Sequence, residues 1–503
     1  MPGFETQFLV LLILSIVLLT ASPSDAFIPR ECLHNVSGVG GSGICCPRSS
    51  RNNKICGGTG HGSCLPIYEA NDELQNPDLL LDDRMHWPRR FFNQLCRCES
   101  NFFGLACDEC WYGWAGPNCE RREILVRRNV LSFSAEERHK FISIVAEMPK
   151  TGTDRLIMLE KDTLHSDPLK NPIFMPSNLQ YLITFIHDYT SRGTLLSDPI
   201  KCMRSGYLDN NHNVVGFLTW HRYLMLLWER ELRKIAIQRY KWYDFALPYW
   251  DWIDAEECEV CTNSLVGAPG PWIGGIQLLH PGSIFSNFTE YCSLPKMRIG
   301  RCFGCHVNWP ASTPIHRHFV ASQFPRTEDL EFTLSRKNFF LEDPEEGMNN
   351  CRSFHQALEG FCGRPDDNST YLYMHNKVHN MVHGTHCCSA TSTNDPLFIL
   401  HHTQIDRIFE LWFQRMQPRI TEYPADHVAP GSCRECPLIG WIPIVRHVQL
   451  FTEAEKLGIR YDNFNFGKQG FRGDLYLKYG PRHEESYYAR KPQNSVNQSA
   501  LVH

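Results

Sequence analysis

The chain lacks a basic stripe with interleaved aromatics, and its formal net charge at neutral pH is -5, which removes nucleic acid from the expected partners. Internal repeats are absent as well, which weighs against a carrier built from repeated units. Beyond the first two dozen residues no run is long and apolar enough to cross a bilayer, so no membrane anchor is expected. The apolar run from Phe8 to Ala21 is short for a span and is followed by Ser24-x-Ala26, a small-x-small cleavage pattern. Its amino end lacks the usual Lys or Arg. Residues 1–26 therefore read as a signal peptide, with mature protein beginning near Phe27.

Cysteine is plentiful. The chain has 22, an even number, and behind a leader they are expected to pair as disulfides in a secreted protein or in the lumen of a secretory or pigment vesicle. Asn35, Asn287, Asn368 and Asn497 stand in Asn-x-Ser/Thr sequons and are candidate glycan acceptors. Ten cysteines fall between Phe27 and Arg122, and the last five, in CRCESNFFGLACDECWYGWAGPNC, resemble an EGF-like module. Bridges can replace a core that so small a segment could hardly build, and a brace on the following domain is the expected role. The pairs Cys107/Cys110, Cys258/Cys261, Cys302/Cys305 and Cys433/Cys436 have Cys-x-x-Cys spacing, which in an exported chain reads as disulfide rather than structural zinc.

Histidines carry the chemistry. His375 and His379 lie four apart in a run readable as one helix, so both imidazoles share a face. Asp395 is a good N-cap and Pro396 fits a first turn, which places His401 and His402 on a second helix. Upstream, His187 lies in the apolar helical run NLQYLITFIHDY, His212 in a polar loop, and His221 at the head of TWHRYLMLLWEREL. Two separate three-histidine sets point to metal, and imidazole suits copper, zinc, iron and nickel alike. His383 and His386 extend the run after His379, while His306, His316 and His318 read as loop residues.

Trp220-His221-Arg222 followed by Pro248-Tyr249-Trp250-Asp251-Trp252, then His375-Asn376-x-x-His379 and Asn394-Asp395-Pro396-x-Phe398 leading to His401-His402 and Asp406, together resemble the two half-sites of the tyrosinases. The resemblance covers nearly the whole chain after the leader. It implies that His187, His212 and His221 hold one copper ion and that His375, His379 and His402 hold the other, His402 rather than His401 being the ligand. It also implies a mainly α fold, with a four-helix-bundle core around a binuclear site, long disulfide-braced loops and the small Cys-rich EGF-like subdomain. The expected domains are residues 27–122 for that subdomain, 123–467 for the copper-binding domain and 468–503 for a polar tail. Vertebrate pigment-cell members carry an anchor near the C-terminus; no such run stands here, so a soluble product is expected.

By the same resemblance the chain ortho-hydroxylates monophenols with O2 and oxidises catechols to o-quinones, for pigment or for cross-linking protein tyrosine or DOPA side chains. Glu359 and Asn376 stand where the family holds a water that takes the phenol proton, with Phe361 at the mouth. A zinc-containing tautomerase, a catechol oxidase, or an oxygen-binding or non-catalytic protein are the alternatives. Asp406 and Asp251 are expected to accept an imidazole N–H or to brace the bundle, with Arg222 pairing one of them. The loop His386-Cys387-Cys388-Ser389 departs from the family; its cysteines either bridge to Cys351 and Cys362 and stiffen the pocket rim or, if free, are oxidation-prone or metal-binding. No Cys lies two residues from His212, so no Cys–His thioether is expected there.

Overall fold

Ser134 precedes a run of helical periodicity and starts the first long helix of the computed structural model, α1 (Ala135–Ala146). Its hydroxyl accepts the Glu137 N–H at 3.2 Å while the Glu137 carboxylate accepts the Ser134 N–H at 2.8 Å, a reciprocal cap worth about 1 kcal/mol. Among the described residues there follow α2 (Leu179–Ser191), α3 (Phe217–Tyr240), α4 (Thr327–Leu334), α5 (Phe354–Glu359), α6 (Met374–Val382), α7 (Leu397–Met416) and α8 (His447–Leu450). The structure describes residues 28–35, 42–67, 87–89, 91–159, 173–191, 209–291, 313–320, 323–342, 351–364, 372–425, 431–468 and 470–474. The leader, Asn368, Asn497, Cys302, Cys305, His306 and most of the tail lie outside them.

The core is helical. Every residue of Phe217–Glu229 in α3 and of Leu397–Phe413 in α7 is buried, as expected of helices enclosed on all sides. α3 and α6 both pack on α7, and α2 packs on the short turn Ser392–Asn394 that leads into it. Strands are short and peripheral. Gly152–Leu159 pairs antiparallel with both Ile28–Pro29 and Ile173–Asn178, and Leu125–Arg127 runs parallel to Ile459–Tyr461. Residues 267–275 contain half of a hairpin: Pro269–Ile273 pairs with Ile276–Leu279. The turn between them is Gly274-Gly275, both at positive φ, the two-residue loop that glycine pairs favour.

The Cys-rich segment forms a three-stranded sheet, with Gln94–Cys98 between Ile44–Cys45 and Gly62–Pro66, and two hairpins. Bridges join Cys32–Cys45, Cys46–Cys64, Cys56–Cys96, Cys98–Cys107 and Cys110–Cys119. Cys107 and Cys110 thus bond outward and not to each other. Trp87, Phe91, Phe103 and Tyr112 belong to the same apolar core as the helices, and the Trp87 indole N–H donates to the Trp441 carbonyl at 3.1 Å. Cys258–Cys261 and Cys433–Cys436 are bridged. The expected link from the 386–389 loop is not made: Cys351 bonds Cys362, eleven residues away, because both flank α5.

Candidate metal centre

α2 begins with the Asn178 side chain accepting the Tyr181 N–H at 2.8 Å, and presents His187 in its third turn. α3 presents His221. Between them Asp209 builds a turn: its Oδ1 accepts the N–H of Asn211 at 3.0 Å and of His212 at 2.7 Å, while its Oδ2 lies 3.3 Å from His212 Nδ1. Asn213 then adopts φ 51°, a left-handed conformation that Asn tolerates. One nitrogen from each of His187, His212 and His221 falls within 4.8 Å of the others, and His187 Nε2 lies 3.3 Å from His221 Nε2.

In the second set, the i, i+4 spacing on α6 brings His375 and His379 together edge to face, ring centroids 4.5 Å apart. α7 faces them with His402, whose Nε2 lies 3.3 Å from His375 Nε2 and 3.2 Å from His379 Nε2. The Asp395 side chain accepts the Leu397 N–H at 2.9 Å and so starts α7, with Pro396 between. Phe398 stacks on His402 at 3.9 Å and fixes its ring. The two sets adjoin, since the His221 and His402 rings stack at 4.6 Å. His401 comes within reach of the same cluster, but its ring lies parallel to that of His375 at 5.1 Å.

Hydrogen bonding fixes what these nitrogens can do. His187 Nδ1 faces the Ser389 carbonyl at 2.7 Å, His221 Nδ1 the Phe217 carbonyl at 2.9 Å, and His379 Nδ1 the His386 carbonyl at 2.6 Å. A carbonyl only accepts, so each Nδ1 carries the proton and each Nε2 a lone pair. The His187 and His221 lone pairs then confront each other, and His402 can donate to at most one of its two neighbours. Protonation does not relieve this: burial, reinforced by the neighbouring imidazoles, pushes His187, His221, His375 and His402 well below the usual histidine range. Burial pushes His379 down to about 4. Neutral, converging imidazoles, with no proton between His187 and His221 and at most one shared by His402, fit a bound cation, and the donor set suits copper or zinc.

Glu359 ends α5 and is fully buried, unlike an ordinary surface carboxylate. Its Oε1 accepts the Asn213 N–H at 2.5 Å, beside His212, while Oε2 has no partner among the described residues. Burial pushes its carboxyl well above the usual range. Asn376 Oδ1 lies 2.9 Å from His375 Nδ1, and its Nδ2 is likewise buried and unpartnered. Asp406 and Asp251 brace rather than orient imidazoles. Asp406 accepts from Arg222 Nε at 2.5 Å, and Asp251 accepts from Gln404 Nε2 at 2.8 Å. The helix stops at Val382 and His383 takes φ 50°, which removes His383 from the face of His379. His316 does lie in a loop, but buried.

The structure brings all six expected histidines into two adjoining sets and places Glu359 and Asn376 beside them. His386, which extends the run after His379 in sequence, is buried against it with ring centroids 4.4 Å apart; sequence reasoning missed the carbonyls of His386 and Ser389. A backbone carbonyl leaves no mark in a sequence.

Residues 178–415 match the family description "Common central domain of tyrosinase". A tyrosinase of the frog Pelophylax lessonae is 32% identical over 90% of this chain and 84% of its own length, and a bovine tyrosinase is 33% identical over 87% and 82%. A chicken relative named 5,6-dihydroxyindole-2-carboxylic acid oxidase is 29% identical over 91% and 86%. With these likenesses spanning both histidine sets and the helical core, the chain belongs to the tyrosinase family of type-3 copper oxidoreductases.

Proposed function

We propose that His187, His212 and His221 hold one copper ion and His375, His379 and His402 a second, and that the chain uses them to ortho-hydroxylate monophenols and to oxidise catechols to o-quinones. The confrontation of unprotonated Nε2 atoms, His187 against His221 at 3.3 Å, is the observation that supports it. A bound copper pair supplies O2 binding and the redox steps. The protein supplies the rest. His212 is the most open of the six, its side chain 18% exposed, so the phenol approaches on that edge. A free phenol has a pKa near 10 and must lose its proton to bind metal. The unpartnered Glu359 Oε2 and Asn376 Nδ2, one acceptor and one donor, hold a water that takes it.

Eight disulfides among the described residues support work in an oxidising compartment, a secretory or pigment vesicle or the exterior. Among those residues no helix is long and apolar enough to cross a membrane. Small phenols are the expected substrates, and protein tyrosines become accessible where a segment reaches the open edge at His212. Metal analysis of the purified protein, with oxygen uptake on a monophenol and on a catechol, tests the reading. Two coppers per chain and uptake with both substrates are expected. Zinc in their place, with no uptake, would overturn it.

A further inference from the structure

Cys387 and Cys388 are adjacent in the chain, lie outside the eight bridges of the described residues and are half-buried. Immediately before them the His386 carbonyl orients His379, and immediately after them the Ser389 carbonyl orients His187, one imidazole of each set. The Cys388 carbonyl accepts the N–H groups of Thr391 and Ser392, at 3.0 and 2.8 Å, and so anchors the turn that enters α7. Three of four successive carbonyls are thereby committed to the metal centre or to its supporting helix.

We propose that Cys387 and Cys388 form an oxidation site for o-quinones, closing to a disulfide that loosens both metal sets. Two S–H bonds break and one S–S bond forms; the two electrons and two protons pass to the quinone, whose carbonyls become the hydroxyls of a catechol. Consecutive Cα atoms across a trans peptide lie about 3.8 Å apart, whereas an unstrained bridge wants them about 4.4–6.8 Å apart. The ring therefore places its strain on the backbone between the two orienting carbonyls. Loss of such outer partners costs about 10- to 100-fold in metal affinity. Strained bridges are also the readily reduced ones, so the change reverses with a dithiol. The inference rests on the phenol-oxidising reading, since that reaction releases the oxidant.

The test treats the metal-loaded full chain with preformed 4-methyl-o-benzoquinone. The mass of the peptide holding both cysteines is measured, and metal affinity is measured by chelator competition before and after. A loss of two hydrogens, roughly tenfold or greater weakening of affinity, and recovery with a dithiol reductant are expected. The C387S/C388S variant should keep its affinity through the same treatment. Unchanged thiols, a mass gain of one quinone from thiol addition to the ring, or a bridge that leaves affinity intact would each overturn the proposal. Because the quinone is added preformed, an untreated protein that consumes no O2 with phenols would sink the phenol-oxidising reading alone, leaving the mass and affinity results to decide the bridge.

Discussion

Asp406 lies one helical turn beyond His402, and replacing it with alanine tests whether a buried charge cluster holds α7 in place. Its carboxylate accepts from Arg222 Nε at 2.5 Å, from Arg127 Nη1 at 3.1 Å and from the Tyr461 hydroxyl at 2.6 Å. Burial alone would raise this carboxyl, but the Arg222 and Arg127 charges bring it below its ordinary range. Removing one member of a buried pair costs about 3–5 kcal/mol, because the remaining charge stays desolvated. Both arginines keep other acceptors: Arg127 has Glu229 at 2.9 Å, and Arg222 has Glu410 at 3.3 Å and the Thr452 carbonyl at 2.6 Å. The cost of Asp406→Ala should therefore sit near the lower end, about 3 kcal/mol. Equilibrium denaturation of the metal-loaded protein, bridges intact, measures it. Arg222→Met combined with Asp406→Ala should cost at least about 1 kcal/mol less than the two single changes summed, since the pair is in contact. A cost under about 1 kcal/mol for Asp406→Ala, or strict additivity in the double variant, would refute the reasoning.

Glu359→Gln should leave metal content unchanged while lowering monophenol hydroxylation by at least about 100-fold, the usual contribution of a general base. Catechol oxidation should fall less, and equal losses on both substrates would remove Glu359 from the proton-transfer role. Glu290 is 6% exposed and accepts the Thr385 hydroxyl at 2.5 Å. Burial pushes its carboxyl up to about 7 from 4.5. Below pH 4.5 the folded and unfolded states are both protonated; as pH rises through about 7 the unfolded state releases the proton first, and stability is lost. The 2.5-unit difference corresponds to roughly 3 kcal/mol. Glu290→Gln should flatten the stability profile between pH 4.5 and 7, and an unchanged slope would show that Glu290 is not its source.

The elements that position metal were legible because their chemistry repeats in sequence. His375 and His379 at i, i+4 need only a helix to share a face, and Asp395-Pro396 writes the start of the next one. The 3.2 and 3.3 Å approaches of His402 Nε2 follow from that register. Arg222 beside His221 and Asp406 beyond His402 similarly imply a contact once two helices face each other. The Gly274-Gly275 hairpin was not legible: the Pro and Gly content around it shows no strand period, and the flanking strands are only five and four residues long.

What could not be read is how the imidazoles are held. His221 is oriented from within its own helix by the Phe217 carbonyl, a contact that any residue at position 217 would supply. His187 and His379 instead depend on one four-residue turn that neither helix contains. That dependence changes what Cys387 and Cys388 mean for the loop. Two cysteines at this place looked like material for bridging the loop to Cys351 and Cys362. Those two bond each other, so the loop carries no covalent tie to α5. Its conformation is set by local hydrogen bonds, from Cys387 N–H to the Gly384 carbonyl at 3.2 Å and from Thr391 and Ser392 N–H to the Cys388 carbonyl. Each such bond contributes only about 0.5–1.5 kcal/mol. The two metal sets are thus coupled through one segment that touches both, and chemistry on that segment acts on both at once.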